Sequence, residues 1–505
     1  MSANATTVSR TRRKKLARGK ERSEAGLGHE SQNTPSPERA KEDSEFPKGW
    51  RIQKLGDVAS KIGSGSTPRG GEVVYKTMGV PLIRSMNVHF SGFKPDGLVY
   101  LDQVEAEKLE QVTVQKGDVL LNITGASIGR VTTAPDLMAG ARVNQHVCII
   151  RPNGELIAAF LAQFLASPDE QARVMNVQVG ATRQALTKAM VQNWDVPVPP
   201  LAEQRRIVAE IEKQFTRLEA GVAALRRVQA NLKRYRSAVL KAACEGRLVP
   251  TEADLQKSEG RSQKEFESGE QLLKRILAER RKNWTGRGKY KEPGAPDAVH
   301  LPPLPAGWTW ATAEQLTDEN RSITYGVIKL GAPVADGVHV LRSSDVRHLR
   351  LDLVNVKRVA PEIAGEYRRT FLKGGEVLIT VRGTLGGVVV APVECAGFNI
   401  SREVAMFAMV ELAVAKITAI FIGSAPLQRW MLQRAKGIAY TGINIETLKK
   451  LPIPLPPLAE QTRIVAEVER RLSVVEELEA VVSANLKQAA RLRQSILQKA
   501  FTGEL

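Results

Sequence analysis

The chain has 505 residues, 73 of them Lys or Arg and 54 Asp or Glu, for a formal charge of +19 at pH 7. That length accommodates two or three domains, 43% hydrophobic residues supply sizeable cores, and the positive excess points to an acidic partner, nucleic acid first. Cys148, Cys244 and Cys395 are isolated and imply neither a disulfide framework nor a zinc site. The N-terminus lacks the apolar segment of a secretory signal, and the most apolar run, Val404 to Ala425, carries Glu411 and Lys416, so it reads as a buried strand and a helix rather than a membrane anchor. A cytoplasmic location without membrane contact is expected.

Residues 1–46 are polar, lack aromatics until Phe46 and cluster Arg and Lys between Arg10 and Arg22. Such a segment cannot bury a core and is expected to be a disordered basic tail. Folding is expected to begin at Pro47-Lys-Gly-Trp50. From there to residue 198, short β-branched runs punctuated by glycine, Val119 to Thr124 and Val143 to Ile150, predict a mostly β module with a few short helices. At residue 199 paired prolines open the sequence PPLAEQRRIVAEIEKQF. Proline tolerates a first helical turn but not a helix interior, and Glu203 in that turn complements unpaired N–H groups. Beyond it Val208, Ile211, Phe215, Leu218, Val222, Leu225, Val228, Leu232, Tyr235 and Val239 step by threes and fours. They predict a long helix over 199–244 with a narrow apolar seam, roughly 60 Å long.

Residues 245–304 form an unusually long connection. A helix is expected over Gln271 to Trp284, followed by the Gly/Pro/Lys-rich TGRGKYKEPGAPD; the stretch fits either a spacer arm or a surface insertion. The chain then starts again. Pro305-Ala-Gly-Trp308 repeats the first opening with a period of about 258 residues. PLIRSMNV (Pro81 to Val88) parallels HVLRSSDV (His339 to Val346), and GDVLLNITGASIG (Gly117 to Gly129) parallels GEVLITVRGTLGG (Gly375 to Gly387). Strands are expected at Val377 to Val381 and Val388 to Val390. This second module, 305–455, leads into PPLAEQTRIVAEVERRL and a second long helix, 456–505, with the seam Val465, Val468, Leu472, Val475, Leu478, Val482, Leu486, Leu492 and Ile496. Two such helices in one chain most simply pack on each other. Between the matching patches the modules differ strongly: the scaffold repeats and the loops do not.

Catalytic motifs are not evident. No Walker A sequence or strand-borne G-x-G-x-x-G is present, and the prolines at 197–200 and 454–457 lack the polar-aromatic partners of an adenine methyltransferase site. The histidines at 29, 89, 146, 300, 339 and 348 show no metal spacing, and no carboxylate pair stands out as acid and base. What remains suits DNA. Lys76, Arg84, Asn87, Arg130, Arg142, Asn144, Gln145, Arg183 and Gln184 of the first module, and Arg342, Arg347, Arg382, Asn399, Arg402 and Tyr440 of the second, lie in or beside predicted loops. Arg can chelate guanine, Asn or Gln can read adenine, and most other basic contacts hold phosphate. The plainer reading of any single one is a solvated or structurally paired surface residue. Arg84 aligns with Arg342 and Asn87 with Asp345, so retained positions are expected to serve scaffold or phosphate, and divergent loops to discriminate sequence.

In this order and twice over, the Gly-Trp openings, the PLIRS-like and GDVLL…TG…G blocks, the P-P-L-A-E-Q-x-R-I-V helix starts and the C-terminal KAFTGEL resemble the specificity subunits of Type I restriction–modification systems. The likeness covers about residues 46–505, and ILAERRKNW…GKYKEPGAPD…LPPLPAGWTW resembles the linker of one branch of that family. It implies an α+β chain: two similar mixed, β-rich target recognition domains in tandem (47–198 and 305–455), each followed by a long helix. Those helices, 199–244 (central conserved region) and 456–505 (C-terminal conserved region), would pack as an antiparallel coiled coil. Each domain would read one half of a bipartite, asymmetric double-stranded DNA site, and the helices would serve as ruler and as dock for two methyltransferase subunits. Glu203, Gln204, Glu460 and Gln461 match the family's signature; with Ile211, Phe215, Leu218, Val468, Leu472 and Val475 they form the expected coiled-coil and partner-contact set. The chain itself would be non-catalytic, with no cofactor or metal: S-adenosylmethionine belongs to the methyltransferase partners, and ATP and Mg to restriction subunits where these are present. Residues 1–46 depart from the family pattern, which starts near the Gly-Trp block. The alternatives are a DNA-bridging coiled-coil protein without catalytic partners and a self-contained recognition and modification enzyme.

Overall fold

The computed structural model describes residues 47, 49–68, 70–176, 185–259, 267–286, 288–297, 301–435 and 442–505; the tail expected at 1–46 lies outside them. The chain divides into two compact units, Met1–Ile211 with Ile496–Leu505, and Glu212–Ser495.

The first unit holds β1 (Arg51–Lys54), β2 (Ala59–Ser64), β3 (Val80–Ile83), β4 (Val99–Leu101), α1 (Gln103–Glu107), β5 (Val119–Asn122), β6 (Val131–Thr133), β7 (Arg142–Val143), β8 (Val147–Pro152), α2 (Ala158–Leu165), α3 (Pro168–Asn176), α4 (Lys188–Gln192) and β9 (Asp195–Val198). An antiparallel sheet runs β2-β8-β5-β6, and a smaller one runs β4-β3-β7 with β3 and β7 parallel. Every residue of β5 is buried, which is why it reads as a continuous apolar run rather than an alternating one. Strands β1 and β9 pair antiparallel, Arg51 opposite Val198, and so tie the two ends of the module together. The run Val143 to Ile150 is two strands rather than the single one expected. Buried Asn144 accepts the His146 N–H at 3.1 Å, and this local side-chain bond competes with the ladder and turns the chain. The core gathers Leu82, Ile83, Leu101, Leu120, Val143 and Ile149. Phe160 and Phe164 of α2 meet the ring of Phe501 edge-on, at 5.4 and 5.3 Å between centroids.

Helix α5 (Leu201–Cys244) follows, then α6 (Glu252–Glu259) and α7 (Gly269–Asn283) in the connection. Helix α7 begins two residues before the expected start because Ser268 and Gln271 form a reciprocal capping box. It buries Leu272 and Ile276 in the second module's core, so of the two readings of this connection a free spacer arm does not describe α7.

The second module comprises β10 (Thr309–Thr312), β11 (Thr324–Tyr325), β12 (Val338–Leu341), β13 (Val346–Arg347), β14 (Arg350–Leu351), β15 (Lys357–Val359), α8 (Pro361–Glu366), β16 (Val377–Thr380), β17 (Val388–Val390), β18 (Asn399–Ile400), β19 (Val404–Phe407), α9 (Leu412–Ile422), α10 (Ala425–Arg434), α11 (Ile445–Lys449) and β20 (Pro452–Leu455). Its sheets repeat the first module's order: β11-β19-β16-β17, then β15-β12-β18 with β12 and β18 parallel, and β10 paired with β20. The apolar run from Val404 is a buried strand and helix, β19 and α9, and among the described residues no helix is long and apolar enough to cross a membrane. Among the described residues the β13–β14 hairpin has no counterpart in the first module.

Helix α12 (Leu458–Thr502) closes the chain. Within the second unit Leu232 packs on Val475 and Val482, Arg236 reaches Glu479 at 3.3 Å, and Arg493 reaches Glu219 at 3.4 Å. Rising numbers on α5 face falling numbers on α12, so the pair is antiparallel. The seam is narrower than expected. Leu232 and Val239 on α5, and Val475, Val482, Ala489 and Ile496 on α12, recur every seven residues and are buried. Val228, Tyr235, Leu478 and Leu492 are 42–49% exposed. The latter three each lie three positions after a seam residue, on a flank that one partner helix does not cover.

Candidate nucleic-acid interface

The matched topology lets the loops of the two modules be compared place by place. Gly65 follows β2 and Gly326 follows β11. A Cβ would fall 1.7 Å from the Val143 carbonyl oxygen at the first and 1.8 Å from that of Ile400 at the second, so only glycine lets the chain pass. Beside this crossing, in the first module, the Thr67 N–H donates to Gln145 Oε1 at 3.0 Å. The His146 Nδ1 shares a hydrogen bond with the Thr124 hydroxyl, and its Nε2 lies 3.3 Å from Gln145 Nε2. In the second module the same place holds Tyr325, with the exposed Arg382 guanidinium 5.6 Å from its ring centroid. Exposed Arg402 stands there too, anchored by its N–H to the Val327 carbonyl at 2.8 Å. One scaffold thus carries amide, imidazole and hydroxyl groups in one copy, and guanidinium and phenol in the other. Both sets suit base edges or phosphate, with different preferences. Gln145, Arg382 and Arg402 were legible as candidates. Thr67, Thr124, His146 and Tyr325 were not, because only the fold brings them together.

Other candidates belong to the scaffold. Asn87 is fully buried; it accepts the Arg84 N–H at 3.0 Å and donates to the Lys94 carbonyl at 2.8 Å. Asp345 accepts the Arg342 N–H at 2.9 Å in the same turn. The Arg84 guanidinium donates to the Gly97 carbonyl and lies over Tyr75, while that of Arg342 pairs with Asp345 at 3.2 Å. Arg142 donates to the carbonyls of Ala106 and Gly140 at 2.9 and 2.6 Å. Asn144 and Asn399 are buried, and Asn399 accepts the Thr370 hydroxyl at 2.6 Å. For these asparagines the plainer reading fits the structure: they are buried and their polar atoms close turns of the fold. Lys76 is exposed beside its backbone pairing with Tyr100, and Arg130 is half-buried. Arg183, Gln184 and Tyr440 lie outside the described residues.

The helix starts are equally committed. Gln204 is fully buried, accepting the Ile157 N–H and donating to the Glu155 and Pro199 carbonyls, all at 2.8 Å. Gln461 is buried and donates to the Pro456 carbonyl at 2.9 Å. Glu460, fully buried, accepts the Trp308 indole N–H at 2.9 Å and the Glu252 N–H at 3.1 Å; burial pushes its carboxyl above the ordinary value. Only Glu203 keeps a half-exposed side chain. Ile211 is buried, Phe215 lies 3.9 Å under the Arg493 guanidinium and Leu218 is half-buried. Val468 and Leu472 join the second module's core, whereas Val475 sits in the helix seam.

A cavity of about 800 Å³ in the second unit is lined by Val389, Leu412, Ile420 and Leu472, with Arg321 and Glu376 among its walls. Glu376 accepts the Lys373 and Gly374 N–H groups and pairs with Arg321 at 2.8 Å, which occupies this carboxylate in the fold. Among the described residues no cluster of His, Cys, Asp and Glu could hold a metal ion.

A duplicated β-rich scaffold with divergent polar loops, each copy running into a long helix, defines a sequence-recognition subunit. The chain belongs to the family of the Type I restriction modification DNA specificity domain, which matches residues 47–224 and 337–485. It is 25% identical over 459 residues to the Type I restriction enzyme EcoBI specificity subunit of Escherichia coli, covering 89% of this chain and 85% of that one. It is 22% identical over 467 residues to the EcoKI specificity subunit of Escherichia coli strain K12, covering 91% and 90%. Its fold matches a chain solved in work on complex assembly and conformational transition of the type I R-M system, with a TM-score of 0.57 and 23% identity, over 91% of this chain and 99% of that one.

Proposed function

We propose that this DNA specificity subunit recognises a bipartite, asymmetric double-stranded site, one half by each module, and docks two adenine methyltransferase subunits through its long helices. Through them it would recruit restriction subunits. The observation that carries the reading is one scaffold holding two loop chemistries. Even half-buried bonds recur: Gln171 donates to the Gly129 and Leu165 carbonyls at 2.9 and 2.6 Å, and Gln428 to those of Gly386 and Ile422 at 3.0 and 2.8 Å. Identical modules would read a palindrome, whereas modules alike in frame and unlike in loops read two different half-sites. Docking is supported by the exposed stripe Val474, Leu478 and Val481 on α12, which the seam leaves uncovered. S-adenosylmethionine chemistry is assigned to the docked partners, as are ATP and Mg.

Adenine-methylation mapping of the host genome with and without the gene tests this. Loss of a two-part asymmetric motif on deletion is the expected result. An unchanged methylome in cells that make the protein and its partners would count against the whole reading.

A further inference from the structure

The β13–β14 hairpin sets two arginines directly opposite each other, Arg347 against Arg350. Cross-strand neighbours of this kind lie about 5 Å apart at Cβ, and like charges there repel. Both side chains are exposed, and neither makes a hydrogen bond or ion pair among the described residues. Of the nearby carboxylates, Asp345 pairs with Arg342, and Asp352 accepts the Val354 N–H at 3.3 Å without an ion pair to either arginine.

The rest of the hairpin is pinned. Val346 is buried and Leu351 packs on the same apolar cluster. The His348 ring fills the space beside Gly423, where a Cβ would lie 3.1 Å from its Cε1. Leu349 packs on the module core and donates its N–H to the Val388 carbonyl at 2.6 Å. Leu349 also sits at φ 57°, a left-handed conformation that disfavours a leucine and that surrounding contacts must enforce. A rigid, strained turn therefore holds an unneutralised pair of guanidinium groups on its outward positions. The first module offers no equivalent hairpin among its described residues.

We propose that Arg347 and Arg350 form an anion clamp that takes one phosphodiester of the DNA backbone, fixing the register of the second module on its half-site. The clamp rests on the proposed reading of this chain as a DNA-recognition subunit and adds a residue-level contact to it. Two guanidinium groups around one phosphate replace mutual repulsion by charge-assisted hydrogen bonds.

The test uses the full chain, purified with whatever partner subunits it retains, and compares wild type with the double variant Arg347→Ala/Arg350→Ala. DNA affinity is measured across a series of salt concentrations, on specific and unrelated duplexes. The variant is expected to bind both duplexes more weakly by the same factor, with the log–log salt slope reduced by about 0.9 for the one phosphate lost. Its melting temperature without DNA should equal or exceed that of wild type, because removing the pair removes repulsion; a merely structural hairpin would melt lower. Sequence-specific binding by wild type, matched in affinity and slope by the variant, would overturn the clamp alone. A changed preference in one half-site at constant slope would overturn the phosphate assignment in favour of base reading. Failure of wild type to prefer any sequence would instead sink the underlying reading.

Discussion

Glu460 shows how one side chain can look like one thing in sequence and be another in the fold. Its place in a first helical turn suggests a carboxylate near unpaired N–H groups, yet the structure buries it against the Trp308 indole and the Glu252 N–H. Glu460→Ala would leave two buried donors without an acceptor, at about 1–3 kcal/mol each, and denaturant unfolding should register that loss. The pH dependence has a definite sign. Burial holds the carboxyl above its ordinary 4.5, so the folded chain binds this proton more tightly than the unfolded chain. The contribution therefore favours folding at low pH and is lost as pH rises from 4.5 through the raised value. Glu467 works oppositely in a lower window, because Arg470 and Arg471 hold it down to about 2. Comparing unfolding of Glu460→Gln with wild type between pH 4 and 8 isolates the buried group. Wild type should lose stability relative to the variant as pH climbs, and a constant difference would mean that the carboxyl is solvated.

At the level of elements, the long helices separate what the apolar pattern could and could not say. Spacing by threes and fours located both helices and their mutual packing, but it assigned two positions per heptad to the seam where one is well covered. Val482, 4% exposed, should lose about 1.5–2 kcal/mol on truncation to Ala, at about 0.8 kcal/mol per buried methylene, whereas Leu478→Ala should stay within about 0.5 kcal/mol. Thermal unfolding of the two variants distinguishes seam from flank. The flank has its own expected phenotype: replacing Val474, Leu478 and Val481 by Ser should preserve the fold while reducing co-purification of the proposed methyltransferase partner. Undiminished co-purification would place the dock elsewhere. The strands were legible where β-branched runs are wholly buried, as at Val377–Thr380. They were not legible where a side chain intervenes, as Asn144 does, or where a hairpin turns through His348 and Leu349, neither a usual turn residue. Interface candidates divided in the same way: the repeat already set Asn87 apart as a retained position, but sequence ranks Asn144 and Gln145 alike, and only burial separates these two neighbours.

For the whole molecule, the repeat extends to how each module is seated. Helix α5 ends at Gly246, φ 65°, with the Arg247 N–H donating to the Ala242 carbonyl at 2.8 Å; α12 ends at Gly503, φ 83°, with the Glu504 N–H donating to the Lys499 carbonyl at 2.9 Å. Both are glycine-terminated helix ends, and against each lies the proline that opens a module, Pro305 at Gly246 and Pro47 at Gly503. Each module thus has a repeated foot, a proline on a helix-ending glycine, and a repeated closure, β1 on β9 or β10 on β20. Such a unit should be exchangeable, provided that the cut respects both contacts. Replacing residues 47–198 with the equivalent module of a relative keeps Pro47 and the β1–β9 pair from one source, and it should change one half of the methylated motif while leaving the other intact. Ending the exchange at 195 instead leaves the host's Val196–Val198 to pair with a foreign β1, and should lower the melting temperature of the chimera. Methylation mapping and thermal unfolding of the two chimeras read these outcomes separately. A change in both halves of the motif from the 47–198 exchange would mean that recognition is not partitioned between the modules, however closely their scaffolds agree.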